Sequence, residues 1–111
     1  MHEMGITRNI VSIVAEAAKS QKVRRVKLEI GKLSAVMPEA LMFCFDVVSK
    51  GTVLEGATLE IVEVAGKAIC RDCGANVELH QIVTACTCGS RDLKRISGEE
   101  LNIKEMELEA A

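Results

Sequence analysis

Four of the five cysteines fall in two close pairs: Cys70-Arg71-Asp72-Cys73 and, twelve residues on, Cys86-Thr87-Cys88. Two such pairs a short hairpin apart are the sequence form of a zinc ribbon, in which each tight turn supplies two thiolates to one tetrahedral ion. Gly74 and Gly89 directly follow the pairs, where the turning backbone needs freedom in φ. With four ligands filled, such an ion has no open position for water or substrate, so its expected role is structural. A stretch this short with few large apolar side chains needs metal to fold.

The second pair is C-x-C, one residue short of C-x-x-C. Its bite is tighter, and one backbone amide that normally points at a sulfur is removed. His80 lies between the pairs and is the alternative fourth ligand, or else a surface residue. A thioredoxin-like redox reading of C-R-D-C requires a strand before it and a helix N-terminus after it. The segment G-K-A-I-C-R-D-C-G-A-N reads as a loop instead. Cys44, between Phe43 and Phe45, reads as a small core hydrophobe.

The other candidate chemistry is at the amino terminus, M-H-E. The imidazole of His2, its own amide and the α-amine of Met1 are three nitrogen donors in sequence, and the Glu3 amide or carboxylate completes a square. Ni²⁺ and Cu²⁺ accept near-planar nitrogen and oxygen sets of this kind. The competing reading is a frayed end with an idle histidine. A cation beside a helix start also meets the positive end of the dipole. Deprotonated amides or Glu3 would have to offset that, giving modest, pH-sensitive affinity suited to passing metal on.

These groups need elements to hold them. Ile6, Ile10, Ile13/Val14 and Ala17/Ala18 recur at 3.6 residues and predict a helix from Ile6 to about Ser20. V-R-R-V-K-L-E-I alternates as a half-buried strand ending near Gly31. Pro38 opens and Gly51 closes a second helix. Apolar residues nearly encircle it, so it is packed on more than one side or lends a face to a partner. A-T-L-E-I-V-E-V predicts another strand, and L-N-I-K-E-M-E-L a last one. Its apolar phase slips, which predicts a bulge near Lys104–Glu105. Ser97-Gly98 predicts a turn pairing D-L-K-R-I with that last strand as a hairpin. The expected fold is a two-layer α/β (α+β) core, two helices on a roughly three-stranded sheet, with an inserted zinc ribbon. The core would span 1–66 plus 97–111, and the ribbon 67–96.

Composition narrows the function. The chain has 111 residues, 49% of them apolar but only 2% aromatic, so its core is built from Val, Ile, Leu, Ala and Met. A net charge of −2 with scattered basic residues lacks the one-sided footprint of a nucleic-acid binder. No apolar run is long enough to cross a bilayer, and no signal peptide is evident. A cytoplasmic location is expected, where five cysteines point to metal rather than disulfides. No Ser/His/Asp set, phosphate loop or paired acids with a base is present, so no enzyme is expected.

M-H-E at the start, G-T-V-L-E-G-A-T-L-E-I in the middle, and C-x-x-C followed by C-x-C-G-S together resemble the hydrogenase maturation nickel metallochaperones, the HypA/HybF family. The resemblance runs in order across essentially the whole chain. It implies Ni²⁺ cargo bound through the Met1 amine and His2 with Glu3 nearby, and delivered during assembly of [NiFe]-hydrogenase. A GTPase accessory protein and the hydrogenase large subunit would be partners of a monomer or weak homodimer, with urease a further client. Cys70, Cys73, Cys86 and Cys88 would hold structural zinc. The family usually shows C-P-x-C at the second pair, which this chain lacks. The alternative is a zinc-ribbon interaction module without transition-metal cargo.

Overall fold

The computed structural model describes residues 2–80 and 85–110. In order these form α1 (Glu3–Ala18), β1 (Val23–Gly31), α2 (Pro38–Val48), β2 (Thr58–Val64), β3 (Gly66–Cys70), β4 (Asn76–Leu79), β5 (Leu93–Ser97) and β6 (Leu101–Leu108). The strands make two three-stranded sheets, ordered β2-β1-β6 and β4-β3-β5. The mixed α+β class and the count of helices agree with the sequence pattern. No helix among the described residues is long and apolar enough to cross a membrane.

Helix α1 begins three residues earlier than its apolar period announces. The Ile6 N–H donates to the His2 carbonyl at 3.0 Å, and the Thr7 hydroxyl donates to the Glu3 carbonyl at 2.6 Å. Those bonds close a first turn whose residues contribute nothing to the buried stripe of Thr7, Ile10, Val11, Val14 and Ala18. Lys19 and Ser20, both at positive φ, end it. Pro38 stands at the start of α2, where its missing N–H has no intrahelical acceptor to lose. Helix α2 stops at Val48, short of the Gly51 that punctuates the sequence. It packs on α1 and buries Leu41, Cys44 and Phe45, leaving Met42, Phe43 and Val47 exposed. Cys44 is thus a core side chain.

The chain divides into two compact units. The first takes residues 1–28, 36–62 and 102–111, and it holds both helices. Its core combines the buried stripes of α1 and α2 with Val23, Val26 and Leu28 of the central strand and Leu54 and Leu59. On β1, Arg25 lies at 3.1 Å from Glu107 of β6 and also pairs with Glu105 and with Glu60 of β2, tying the central strand to both neighbours. Along β6, exposed Lys104 and Glu105 separate half-buried Ile103 and Met106, which is the phase slip seen in the sequence.

The second unit takes residues 29–35 and 63–101. Two expectations are corrected here. Gly66–Cys70 is a strand, not a loop. Its inward residues are Gly66, Ala68 and Cys70 while Ile69 faces out, so the alternation is of size and carries no apolar signal. The segment D-L-K-R-I supplies β5, but β5 pairs antiparallel with β3 rather than with the last strand. The reason is the turn at Gly98, at φ 118°. Its carbonyl accepts the Leu33 N–H at 2.7 Å and the Glu100 carbonyl accepts the Gly31 N–H at 2.8 Å. Those carbonyls are therefore spent on residues 31–33 and not on a hairpin.

Candidate metal centre

Strand β3 delivers Cys70 to the end of its sheet, and the turn beyond it carries Cys73 back, with the Gly74 N–H donating to the Cys70 carbonyl at 2.8 Å. Gly74 there has φ 76°, open to glycine at no steric cost. Cys86 and Cys88 come from the short turn before β5. The Gly89 N–H donates to the Cys86 carbonyl and the Cys86 N–H donates to the Ser90 carbonyl, both at 2.8 Å. Strand β4, not a helix, follows C-R-D-C among the described residues, which removes the thioredoxin-like context.

The four sulfurs of Cys70, Cys73, Cys86 and Cys88 all lie within 4.8 Å of one another. Cys70 Sγ is 3.7 Å from Cys88 Sγ, and Cys73 Sγ is 3.6 Å from Cys86 Sγ. A tetrahedral ion with metal–sulfur bonds of ~2.3 Å needs sulfur–sulfur edges of ~3.8 Å, so this donor set fits Zn²⁺. Both of these contacts pair a cysteine of one turn with a cysteine of the other, so the two turns close on a common centre. His80 is outside the cluster: its side chain is 80% exposed and its Nε2 faces Glu78 Oε1 at 3.8 Å.

Backbone N–H groups favour the anionic form of these sulfurs, while the sulfurs' own crowding opposes it at two of them. Cys70 accepts the N–H of Cys73 and of Asp72, which with its sulfur neighbours brings its pKa down to about 6. Cys73 accepts the Ala75 N–H, which lowers its pKa, yet the sulfurs of Cys86, Cys70 and Cys88 push it up to about 12. In the second pair Cys86 accepts the Cys88 N–H and is lowered. Cys88 accepts the Ser90 N–H, but the crowding of Cys70 and Cys86 raises it. Within each turn the two sulfurs are thus pulled in opposite directions, Cys70 and Cys86 down and Cys73 and Cys88 up. A divalent cation bound to all four sulfurs would displace whatever protons they carry.

At the amino terminus, His2 is exposed and stands as N-cap of α1 at φ −84°, ψ 75°, with no side-chain cap bond. Glu3 opens the helix, and its carboxylate accepts the Met37 N–H at 3.2 Å. That bond holds the Glu3 carboxyl below the usual carboxylate range. The Met1 amine lies outside the described residues. Met37, Asp72 and Ser90 were not singled out by the sequence; only the short polar residues flanking the cysteine pairs hinted at the last two.

A helical unit that opens on an exposed His2, and a second unit whose four cysteines could hold a metal ion, give the outline of a small protein with a candidate metal centre. Residues 1–108 match the family described as "Hydrogenase/urease nickel incorporation, metallochaperone, hypA". Hydrogenase maturation factor HypA of Trichormus variabilis is 62% identical over 109 residues, covering 98% of this chain and 96% of that protein. The factor of the same name from Nostoc punctiforme is 61% identical with the same coverage. Among solved structures, one titled "Solution structure of HypA protein" matches with a TM-score of 0.74 at 25% identity, covering 100% of this chain and 98% of that one. The Ni metallochaperone HypA of Helicobacter pylori has the same fold, with a TM-score of 0.68 at 23% identity and full coverage of both chains. The chain belongs to the HypA family of nickel-incorporation metallochaperones of hydrogenase maturation.

Proposed function

We propose that this chain carries Ni²⁺ on its amino terminus and delivers it during [NiFe]-hydrogenase assembly, with urease a second client. The observation that carries the reading is the placement of His2: its side chain is exposed at the start of α1. The first N–H groups of a helix have no intrahelical acceptor, so a metal can take amides at this end without breaking the helix ladder. The cargo would sit on the Met1 amine, the His2 amide and the His2 imidazole. Glu3 is close by, with its carboxylate already accepting one N–H. A helix start disfavours a cation, and that opposition makes the site one that can release what it holds.

Cys70, Cys73, Cys86 and Cys88 would hold a structural zinc, whose contribution is to fold the 67–96 ribbon, and 1–66 plus 97–111 would form the nickel-binding domain. With all four positions filled by thiolates, that ion performs no catalysis. The protein is read as a non-enzymatic carrier working in the cytoplasm, as a monomer or weak homodimer. It hands its cargo on with a GTPase accessory protein and the hydrogenase large subunit.

The test is the metal content of protein with a native amino terminus. The expected result is about one Ni²⁺ and one Zn²⁺ per chain, from the two ligand sets. His2→Ala, and separately acetylation of the amine, should abolish nickel and leave zinc. Undiminished nickel binding by His2→Ala would refute the terminal site and favour a zinc-ribbon interaction module.

A further inference from the structure

The second cysteine pair is one residue short, yet both its sulfurs reach the cluster, and the contacts of Ser90 show how. The Ser90 carbonyl accepts the Cys86 N–H at 2.8 Å, and its own N–H donates to the Cys88 sulfur. Its Oγ accepts the Asp92 N–H at 3.1 Å, and its hydroxyl donates to Asp72 Oδ2. Asp72 sits inside the first turn, between Cys70 and Cys73, and its N–H donates to the Cys70 sulfur. A parallel tie joins the same two turns: Arg71 donates through its N–H to the Asp92 carbonyl at 2.9 Å and through Nη1 to Asp92 Oδ1 at 3.3 Å.

Ser90 therefore touches both cysteines of the short turn through its backbone and the opposite turn through its side chain. We propose that Ser90, with Asp72 as its acceptor, is the positioning residue that clamps the shortened C-x-C turn against the C-x-x-C turn and so sets how long the metal is retained. The inference rests on reading the four cysteines as a zinc site. Its logic is mechanical. The second turn is one residue, and so one backbone amide, shorter than the first, and groups that orient ligands govern affinity nearly as much as the ligands do. The pairing of Cys70 with Leu93 and the Arg71–Asp92 tie hold the roots of the two turns, and the Ser90–Asp72 bond joins the turns beyond those roots. Release begins when one turn swings away with its two sulfurs, and the Ser90–Asp72 bond opposes that motion. Its loss should show in the rate of release, with stoichiometry and ligand set unchanged.

The experiment follows transfer of zinc from the full-length, zinc-loaded chain to excess 4-(2-pyridylazo)resorcinol, by absorbance. Ser90→Ala and Asp72→Ala should each release zinc about 10-fold faster, the scale expected for ligand-orienting partners. The double variant should be no faster than Ser90→Ala alone, since that substitution already removes the Ser90–Asp72 bond. Ser90→Thr, which keeps the hydroxyl, should release at close to the wild-type rate. The Co²⁺-loaded forms should all keep a four-thiolate absorption spectrum. Release by Ser90→Ala at the wild-type rate, equal acceleration by Ser90→Thr, or fully additive effects in the double variant would overturn the clamp. Wild-type protein that takes up no zinc would overturn the zinc reading itself, and the clamp with it.

Discussion

The first residue of α1 caps the start of α2: Glu3 Oε2 lies 3.2 Å from the Met37 nitrogen and accepts its N–H. Met37 is the N-cap of α2 and has no side-chain cap of its own. One carboxylate thus faces the positive ends of two helices, a favourable place for an anion. It also fixes the residue next to His2.

The Glu3 carboxyl is lowered by this bond, so the contact is present above the ordinary carboxylate range and lost as pH falls through the depressed value. In the metal-free protein, the Met37 amide resonance should shift with pH in that acid range, and should stop doing so in Glu3→Gln. Glu3→Gln keeps an acceptor and should keep most nickel affinity, whereas Glu3→Ala should lose more. Equal loss in both variants would make the carboxylate a ligand rather than a latch.

Removing one ligand should separate the two units thermodynamically. Cys73 belongs to the unit that holds the four sulfurs, whereas both helices belong to the other. Cys73→Ser is expected to lose zinc and melt the β4-β3-β5 sheet, with the far-ultraviolet helix signal largely kept. Chelation of wild-type protein should do the same. Loss of helix in proportion to zinc would contradict this.

The two phenylalanines stand two residues apart and should behave oppositely. Phe45 is 1% exposed and Phe43 is 69% exposed. Truncating a fully buried phenylalanine leaves a cavity, so Phe45→Ala should cost ~3–5 kcal/mol in denaturant unfolding. Phe43→Ser should stay within ~0.5 kcal/mol, as surface changes do. Any larger effect of Phe43→Ser in the isolated chain would show that this face of α2 is covered.

Gly31 is a steric requirement. A Cβ there would lie 2.0 Å from the Gly98 carbonyl oxygen and 2.5 Å from the Glu99 nitrogen, both backbone atoms. Gly31→Ala should destabilise by at least the ~1–3 kcal/mol of a typical overpacked site. Gly5 has open space around it inside α1, so Gly5→Ala should instead stabilise by ~0.5–1 kcal/mol. Thermal unfolding of the two variants separates these effects.

What the sequence determined by itself was everything encoded in local period or ligand spacing. The recurrence of Ile6, Ile10, Ile13/Val14 and Ala17/Ala18 gave α1, Pro38 gave the start of α2, and the alternation Val26, Leu28, Ile30 gave β1. The two cysteine pairs gave the metal cluster, because sulfur chemistry and turn length leave few other uses. Tertiary structure decided what depends on partners distant in the chain. Strand β3 was invisible because its inward residues are small, and smallness signals nothing until Leu79 and Leu33 are seen pressed against Gly66. The partner of β5 was decided by where the carbonyls beyond Ser97 find their donors, at Gly31 and Leu33, more than sixty residues earlier in the chain. The Glu3–Met37 cap and the Ser90–Asp72 clamp belong to the same class. Each is a single hydrogen bond between short polar groups, and no periodicity announces it. Its acceptor and donor become neighbours only after the apolar core and the cysteine cluster have brought their segments together.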